Sequence, residues 1–305
     1  MIGMKVLNLG SLNIDYVYDV DHFVRAGETQ GSLNMETFCG GKGLNQSIAL
    51  SRSGIEVWHG GAVGFDDSKM LLDTLAAAGV RINLINRKNS KSGHAIIQKV
   101  KSGENCILLH GGANHMITKE DVAFTLGNFQ QGDYIILQNE ISELPYIMES
   151  AHKKGMKVVF NPSPISREIM DYPLEYVDYF ILNEIEAADI CDGHGLEGSE
   201  LIEKLHGLFP ESKIVLTLGE KGSIYKDSEK IYHQPIFKVK AVDTTAAGDT
   251  FTGFFIGALV SNKGVEDSLE IAAKASAISV TRNGASVSIP TLEEVVGHNW
   301  SNGDK

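Results

Sequence analysis

Residues 133–160 read DYIILQNEISELPYIMESAHKKGMKVVF. Two apolar runs, DYIILQ and MKVVF, bracket a segment, 143–154, whose apolar residues recur at helical spacing. A short run that is apolar throughout suits a strand buried on both faces, and a helix between two such runs is the crossover that parallel strands need. The same unit repeats in both directions along the chain. Further runs lie at 4–10 (MKVLNLG), 178–182 (DYFIL) and 213–218 (KIVLTL), with helical periodicity over 43–53, 67–78, 118–128, 184–190 and 198–209. This alternation predicts an α/β fold: a doubly wound, mostly parallel sheet flanked by helices. Two long helices rich in Ala and Gly, about 247–261 and 265–280, close the chain. Past Pro290 come one short helix (TLEEVV) and a polar tail expected to be loose.

Two stretches break the rhythm. Residues 14–38 and 92–110 alternate polar and apolar in the manner of strands (YVYDV, SLNMETF; HAIIQKV, ENCILLH), with no helix after each strand. Each is inserted between α/β units, so the two are expected to meet in space as a small β-sheet lid over one edge of the main domain. With 305 residues, 43% of them hydrophobic, the chain can bury one large core, so residues 1–305 are read as a single domain carrying that lid.

Bulk properties exclude several classes of function. A formal net charge of −12 repels nucleic acid, and no local basic patch offsets it. No stretch approaches the roughly 18 uninterrupted apolar residues of a membrane span, and Met1 to Gly10 reads as a buried strand rather than a signal peptide. A cytoplasmic location is therefore expected. Cys39, Cys106 and Cys191 are odd in number and lack C-x-x-C pairing, which argues against a disulfide framework and a zinc site. The ten histidines show no H-E-x-x-H spacing and are read as ordinary core or surface residues.

The chemistry concentrates in AVDTTAAGDTFTGFFIG, Ala241 to Gly257. Ala246, Ala247 and Gly248 carry little or no side chain, so backbone N–H groups at a helix N-terminus can turn toward an anion. Asp249 follows in the first helical turn, where a carboxylate is electrostatically favoured. Beside a bound phosphate, that carboxylate could accept the proton of an attacking hydroxyl. Taken alone, A-A-G-D serves equally as a helix cap.

Cys39 to Gln46 reads C-G-G-K-G-L-N-Q and runs into a helix. Gly40, Gly41 and Gly43 let a ligand approach the backbone, and Lys42 and Asn45 offer donors. It matches neither G-x-x-x-x-G-K-[ST] nor G-x-G-x-x-G. Asn13 and Asp15, in G-S-L-N-I-D, lie two residues apart after the first strand, on one side of an extended chain. Glu140 and the pair Asn183 and Glu186 also follow strands, as does Thr217-Leu-Gly-Glu-Lys-Gly222. Each is individually explained as a cap or turn. Together, at strand ends where open α/β sheets bind ligands, they point to a site.

These segments resemble the ribokinase family of sugar and nucleoside kinases, from G-S-L-N-I-D to V-T-R-N-G-A-S-V-S-I-P near residue 290. The resemblance implies an ATP-dependent kinase that transfers the γ-phosphoryl group to a hydroxymethyl group of a small sugar. Asp249 matches the catalytic base, and Ala246, Ala247 and Gly248 the anion hole. Asn13, Asp15, Gly41, Lys42, Asn45 and Glu140 match the sugar-holding positions, together with Asp249. Asn183, Thr217, Gly219, Gly222 and Gly248 match nucleotide positions, and Glu186 a magnesium-associated one. Asp243, Thr245, Ser279, Arg282, Gly284 and Ser288 fall where the family binds an activating potassium ion through carbonyls and a carboxylate.

The resemblance further implies a homodimer paired through the lid. N-P-S-P at 161–164 is similar to the ribose-specific form and lacks the D-x-N-x-R pattern of many fructokinases and ketodeoxygluconate kinases, so D-ribose is the expected acceptor. Another pentose, a hexose or a nucleoside stays open, because Tyr16, Tyr18 and Phe38 offer an aromatic lid surface. A rival of another class is a non-catalytic sugar-binding protein that kept the fold. One departure is V-G-F-D-D-S-K-M at 63–70, where the family usually has a further Gly at Lys69 or Met70, so the helix start there is expected to differ.

Overall fold

The computed structural model describes residues 4–300; residues 1–3 and 301–305, including the end of the polar tail, lie outside them. The strands are β1 (Val6–Leu9), β2 (Asn13–Asp19), β3 (Asn34–Gly40), β4 (Val57–Gly64), β5 (Arg81–Lys88), β6 (Gly93–Lys99), β7 (Asn105–His110), β8 (Tyr134–Gln138), β9 (Lys157–Asn161), β10 (Tyr179–Asn183), β11 (Lys213–Thr217), β12 (Ser223–Lys226) and β13 (Ile231–Gln234). The helices are α1 (Lys42–Arg52), α2 (Lys69–Ala77), α3 (Lys119–Leu126), α4 (Leu144–Lys153), α5 (Glu184–Cys191), α6 (Gly198–Leu208), α7 (Ala247–Val260), α8 (Val265–Ser279) and α9 (Leu292–Gly297). Every helix read from periodicity is present, with ends within two residues of expectation. At 63–70, Asp67 accepts bonds from the Ser92 N–H and hydroxyl, and α2 begins after it at Lys69.

Nine strands form the main sheet in the order β13-β12-β11-β10-β9-β8-β1-β4-β5. The ladder from β11 to β5 is parallel, and β12 and β13 extend one edge antiparallel. Alternate residues of the central strands feed two buried clusters. Leu7, Ile135, Leu137, Phe160 and Phe180 pack under α3 to α6, while Val6, Ile136, Val159 and Ile181 pack under α1, α2, α7 and α8. Burial on both faces is why these strands read as continuous apolar runs.

From β1 the chain winds outward through β4 to β5, then returns to lay β8 on the other side of β1 and proceeds to β11. The winding direction reverses between β1 and β8, and such a reversal opens a crevice at the carboxyl ends of the strands. Ser11, Asn13, Gln138 and Glu140 come from those ends.

The stretches 14–38 and 92–110 meet as expected in a second sheet, ordered β3-β2-β6-β7, with β2 and β6 parallel and both outer pairs antiparallel. Strand β3 runs through Gly40 and Gly41 directly into α1, which ties this sheet to the crevice.

Helix α7 packs on α1 through small residues. A Cβ on Gly253 would lie 2.3 Å from the Ala49 Cβ, and one on Gly257 would lie 1.9 Å from the Ser53 Oγ. Asp249, Gly253 and Gly257 repeat every four residues, as do Asn45, Ala49 and Ser53 opposite them, so each set lines one helix face. Close approach at the two glycine layers brings Asp249 against Asn45 in the third layer.

Candidate active site

The loop before α7 ends in Ala246, whose φ of 60° is left-handed. That conformation is strained for alanine and is held by the surrounding loop. Thr250 closes back on the Ala246 carbonyl with both its N–H (2.8 Å) and its hydroxyl (2.8 Å). Among the described residues, the N–H groups of Ala246, Gly248 and Asp249 make no hydrogen bond. The Ala247 N–H does, closing the turn on the Thr244 carbonyl at 3.2 Å. Of the amides in this turn, those of 246, 248 and 249 are therefore the free ones. Ala246, Ala247, Gly248 and Asp249 all line a cavity of ≈ 250 Å³, with Lys42, Asn183, Glu186 and Thr217 on its other walls. Free amides at a helix N-terminus on a cavity wall can receive an anion.

The Asp249 side chain is nearly buried, and both its oxygens are held from α1. Asn45 Nδ2 donates to Oδ2 at 3.0 Å and Gln46 Nε2 to Oδ1 at 2.9 Å. Lys42, at the start of α1, is half-buried. Burial pushes its pKa down, but attraction to Asp249, Glu140 and Glu186 outweighs that and the net shift is upward. One ammonium thus stays charged among three carboxylates.

Glu140 binds the entrance of α1: its Oε2 accepts from the Lys42 N–H at 2.9 Å and from the Ser11 hydroxyl. Burial raises the Glu140 pKa despite these bonds and the charge of Lys42. Gly41, with φ 93°, caps α1 where a Cβ would stand 3.0 Å from the Ser11 Oγ and 3.1 Å from the Asn13 nitrogen, a place only glycine fills. Asn13 Oδ1 accepts from Asn114 Nδ2 at 2.7 Å. Asp15 pairs with Phe38 across the β2–β3 ladder with its carboxylate lying against Gly40, and its pKa is pushed up to about 7 by burial first and by Glu140 second. The six sugar-side residues named from sequence, Asn13, Asp15, Gly41, Lys42, Asn45 and Glu140, therefore gather where β1, β2, β8 and α1 meet.

On the other side of the cavity, Asn183 and Glu186 form a capping box on α5. The Glu186 N–H donates to Asn183 Oδ1 at 2.9 Å and the Asn183 N–H to Glu186 Oε2 at 3.0 Å. They are caps and cavity walls at once, and Glu186 Oε1 makes no hydrogen bond among the described residues. Thr217 lines the same cavity, whereas Gly219 and Gly222 stand on the turn behind it. Gly222 has φ 93°, and a Cβ there would strike the Gln234 carbonyl at 2.1 Å, so the β12–β13 edge alone requires glycine.

The six residues assigned to a cation gather beside the loop before α7. Asp243 accepts from the Thr245 N–H (2.9 Å), the Thr245 hydroxyl (2.6 Å) and the Gly284 N–H (3.0 Å). Burial pushes its pKa up, but these bonds and the charge of Lys99 on β6 outweigh it, so the carboxyl lies below its ordinary value. The Ser279 and Ser288 hydroxyls are 2.9 Å apart, and the Arg282 N–H donates to the Ser279 carbonyl at 3.0 Å. The Arg282 guanidinium pairs with Glu294 at 2.6 Å, so only its carbonyl is available to a cation. The set supplies hard oxygen donors, as a potassium ion requires. No group of three or more His, Cys, Asp or Glu side chains suited to a metal occurs among the described residues.

Sequence reasoning passed over Ser11, Asn8, Gln46 and Gln138. Asn8 interrupts the apolar run of β1, which in a doubly buried strand signals a polar partner in the core, whereas Gln138 only ends the run of β8.

A crossover-built sheet with an anion-binding helix N-terminus, a held carboxylate and a neighbouring polar pocket defines an α/β kinase of small alcohols. The pfkB family carbohydrate kinase pattern matches residues 4–292, and the chain belongs to that family. Within it, the chain is 36% identical over 295 residues to a ribokinase of Haemophilus influenzae, covering 94% of this chain and 96% of that one. The fold matches a Cryptococcus neoformans ribokinase in complex with ADP, with a TM-score of 0.86, 31% identity and coverage of 97% and 99%. It also matches an Arabidopsis thaliana ribokinase complexed with ribose and ATP, with a TM-score of 0.85, 28% identity and coverage of 97% and 98%.

Proposed function

We propose that this protein transfers the γ-phosphoryl group of ATP to the 5-hydroxyl of D-ribose, giving ribose 5-phosphate and ADP. The observation that carries the reading is Asp249 in the first turn of α7, both carboxylate oxygens held from α1, beside free N–H groups on a cavity wall. The sugar hydroxyl oxygen attacks the γ-phosphorus in line. Its O–P bond forms as the bond to the β–γ bridging oxygen breaks, its proton passes to Asp249, and ADP leaves. The amides of Ala246, Gly248 and Asp249 and the Lys42 ammonium stabilise the charge on the moving group. Asn13, Asp15, Gly41, Lys42, Asn45 and Glu140 hold the sugar. Asn183, Thr217, Gly219, Gly222 and Gly248 hold the nucleotide.

Glu186 with Asn183 would hold Mg²⁺, which when bound neutralises phosphate charge. Asp243, Thr245 and the carbonyls of Ser279, Arg282, Gly284 and Ser288 would hold K⁺, whose charge reinforces the anion site. In a chain of net charge −12, such local positive charge is what admits a polyanion.

The whole chain acts as one catalytic domain, its second sheet serving as a lid that excludes water during transfer. Strand β7 leaves Ile107, Leu108 and Leu109 at least half exposed, with Leu33, Met35, Phe38 and Ile96 also exposed in that sheet or beside it. This apolar surface supports a homodimer paired through the lids. Three free cysteines and the use of ATP suit the cytoplasm.

The test is a panel of sugars and nucleosides with Mg-ATP, with and without potassium, read as phosphoryl-transfer rates. Ribose should exceed the other acceptors by about tenfold or more in kcat/KM, with potassium raising the rate. Preference for a nucleoside or a hexose would overturn the substrate assignment.

A further inference from the structure

We infer that a directed chain of buried amides, Asn8–Gln138–Gln46, fixes the Asp249 carboxylate in its working orientation, with Gln46 a positioning residue for the transfer. This deepens the kinase reading and rests on it. All three amide side chains are fully buried.

Their direction is set from both ends by backbone carbonyls, which can only accept. The Gly43 carbonyl takes a bond from Asn8 Nδ2 at 2.7 Å, and the Ser47 hydroxyl takes another at 2.8 Å. The Asn8 Oδ1 therefore faces the other way, and Gln138 must meet it with Nε2, at 2.8 Å. The second hydrogen of that Nε2 goes to Gln46 Oε1 at 2.7 Å. Gln46 has then spent its acceptor and turns Nε2 toward Asp249 Oδ1 at 2.9 Å. From the far side, the Ile181 carbonyl takes Asn161 Nδ2 at 2.8 Å. Asn161 Oδ1 thus also faces Gln46 Nε2, at 3.3 Å, and demands a donor there.

No link can flip without setting two donors or two acceptors against each other in the core, which costs more than a single lost bond. Gln46 accordingly presents a donor, never its carbonyl, to Asp249. His59 ends the branch through Ser47 at 2.7 Å. Its pKa is pushed down to about 4 by burial, so it adds no charge near neutral pH. The chain reaches Asp249 through the β1–β8 switch point, which makes sheet geometry, rather than the α7 loop alone, the reference for the carboxylate.

The experiment compares Gln46→Met, Gln138→Met, the double variant and Asp249→Asn. Rates come from steady-state transfer from ATP to ribose, scaled to ribose-binding sites counted by calorimetry so that misfolded protein does not enter. Gln46→Met should lower kcat about 10- to 100-fold, the worth of a hydrogen bond to a charged group. Gln138→Met, two links from Asp249, should lower kcat about tenfold with the KM values for ribose and ATP within about threefold of wild type. Because Gln138 acts through Gln46, the double variant should be no slower than Gln46→Met alone. The inference is overturned if Gln138→Met keeps kcat within about twofold, if the two losses multiply, or if KM rises in place of the fall in kcat. Near-normal turnover in Asp249→Asn would instead remove the base assignment beneath it.

Discussion

The two sheets of this molecule were built by opposite rules. In the nine-stranded sheet the central strands are buried on both faces, and helices cover each side. In the four-stranded sheet, β7 is exposed along its whole length and carries three consecutive large apolar residues into solvent. The first is a closed scaffold whose buried strands and covering helices hold Asp249, Gln46 and Glu140 through hydrogen bonds. The second leaves an apolar face open, and the difference teaches where rigidity and adaptability can be divided: the proposed reading puts phosphoryl chemistry on the closed sheet and the closing surface on the open one.

That division predicts unequal responses to truncation. Phe160→Ala, in the doubly buried β9, should lower unfolding free energy by about 3–5 kcal/mol by denaturant titration, while Leu108→Ala in β7 should stay within about 0.5 kcal/mol under conditions that keep the chain monomeric. Equal losses would break the comparison. A smaller effect is expected on assembly. Placing charge in the exposed row, as Ile107→Lys with Leu109→Lys, should weaken self-association by about tenfold or more by analytical ultracentrifugation while leaving the monomer folded. Unchanged association would move the partner surface elsewhere.

Asp15 lies on β2 of the second sheet within the field of Glu140, which follows β8 of the main one, and should sharpen the contrast through pH. Its pKa rises from an ordinary 3.8 to about 7. Below about 3.8 the carboxyl is protonated in folded and unfolded chains alike and has no effect on stability. Between these values the folded chain holds the extra proton, so stability declines as pH rises and the loss is complete above about 7. Sugar hydroxyls donate best to the ionised form, so ribose affinity should improve from pH 6 to pH 8 by up to about tenfold. Asp15→Asn should flatten both dependences in calorimetry and thermal melts. The smallest effect is expected at Ala246. Replacing it by Gly relieves a left-handed alanine and should change stability by no more than about 1 kcal/mol while leaving the loop in place.

How far the sequence disclosed this follows the same division. Strands β1, β8, β9, β10 and β11 are legible because burial on both faces writes an unbroken apolar run. Strand β4 is not, since it reads VWHGGAVG, and Gly60 and Gly61 are there to admit Leu9 and the Gly10 carbonyl rather than to break a strand. Strand β5 reads RINLINRK because it lies at an edge. Asp249, Lys42, Asn45 and Glu140 stood out in the sequence as polar residues at strand ends and beside small-residue turns, while what each would hold came from the resemblance alone. Which amides of that turn stay free was not legible, because the turn that consumes the Ala247 N–H depends on the left-handed Ala246, which composition does not betray. Gln46 and Gln138 passed unnoticed because a glutamine in a helix or at a strand end ordinarily faces water, and only the β1–β8 switch point buries these two.

Asp249→Asn, followed by phosphoryl transfer from ATP and by calorimetric ribose binding, bears most directly on the account. Turnover should fall by on the order of 10²- to 10⁴-fold, with ribose affinity changed by no more than about threefold. Turnover within about tenfold of wild type, or loss of sugar binding that tracks the loss of rate, would show that the proton goes elsewhere.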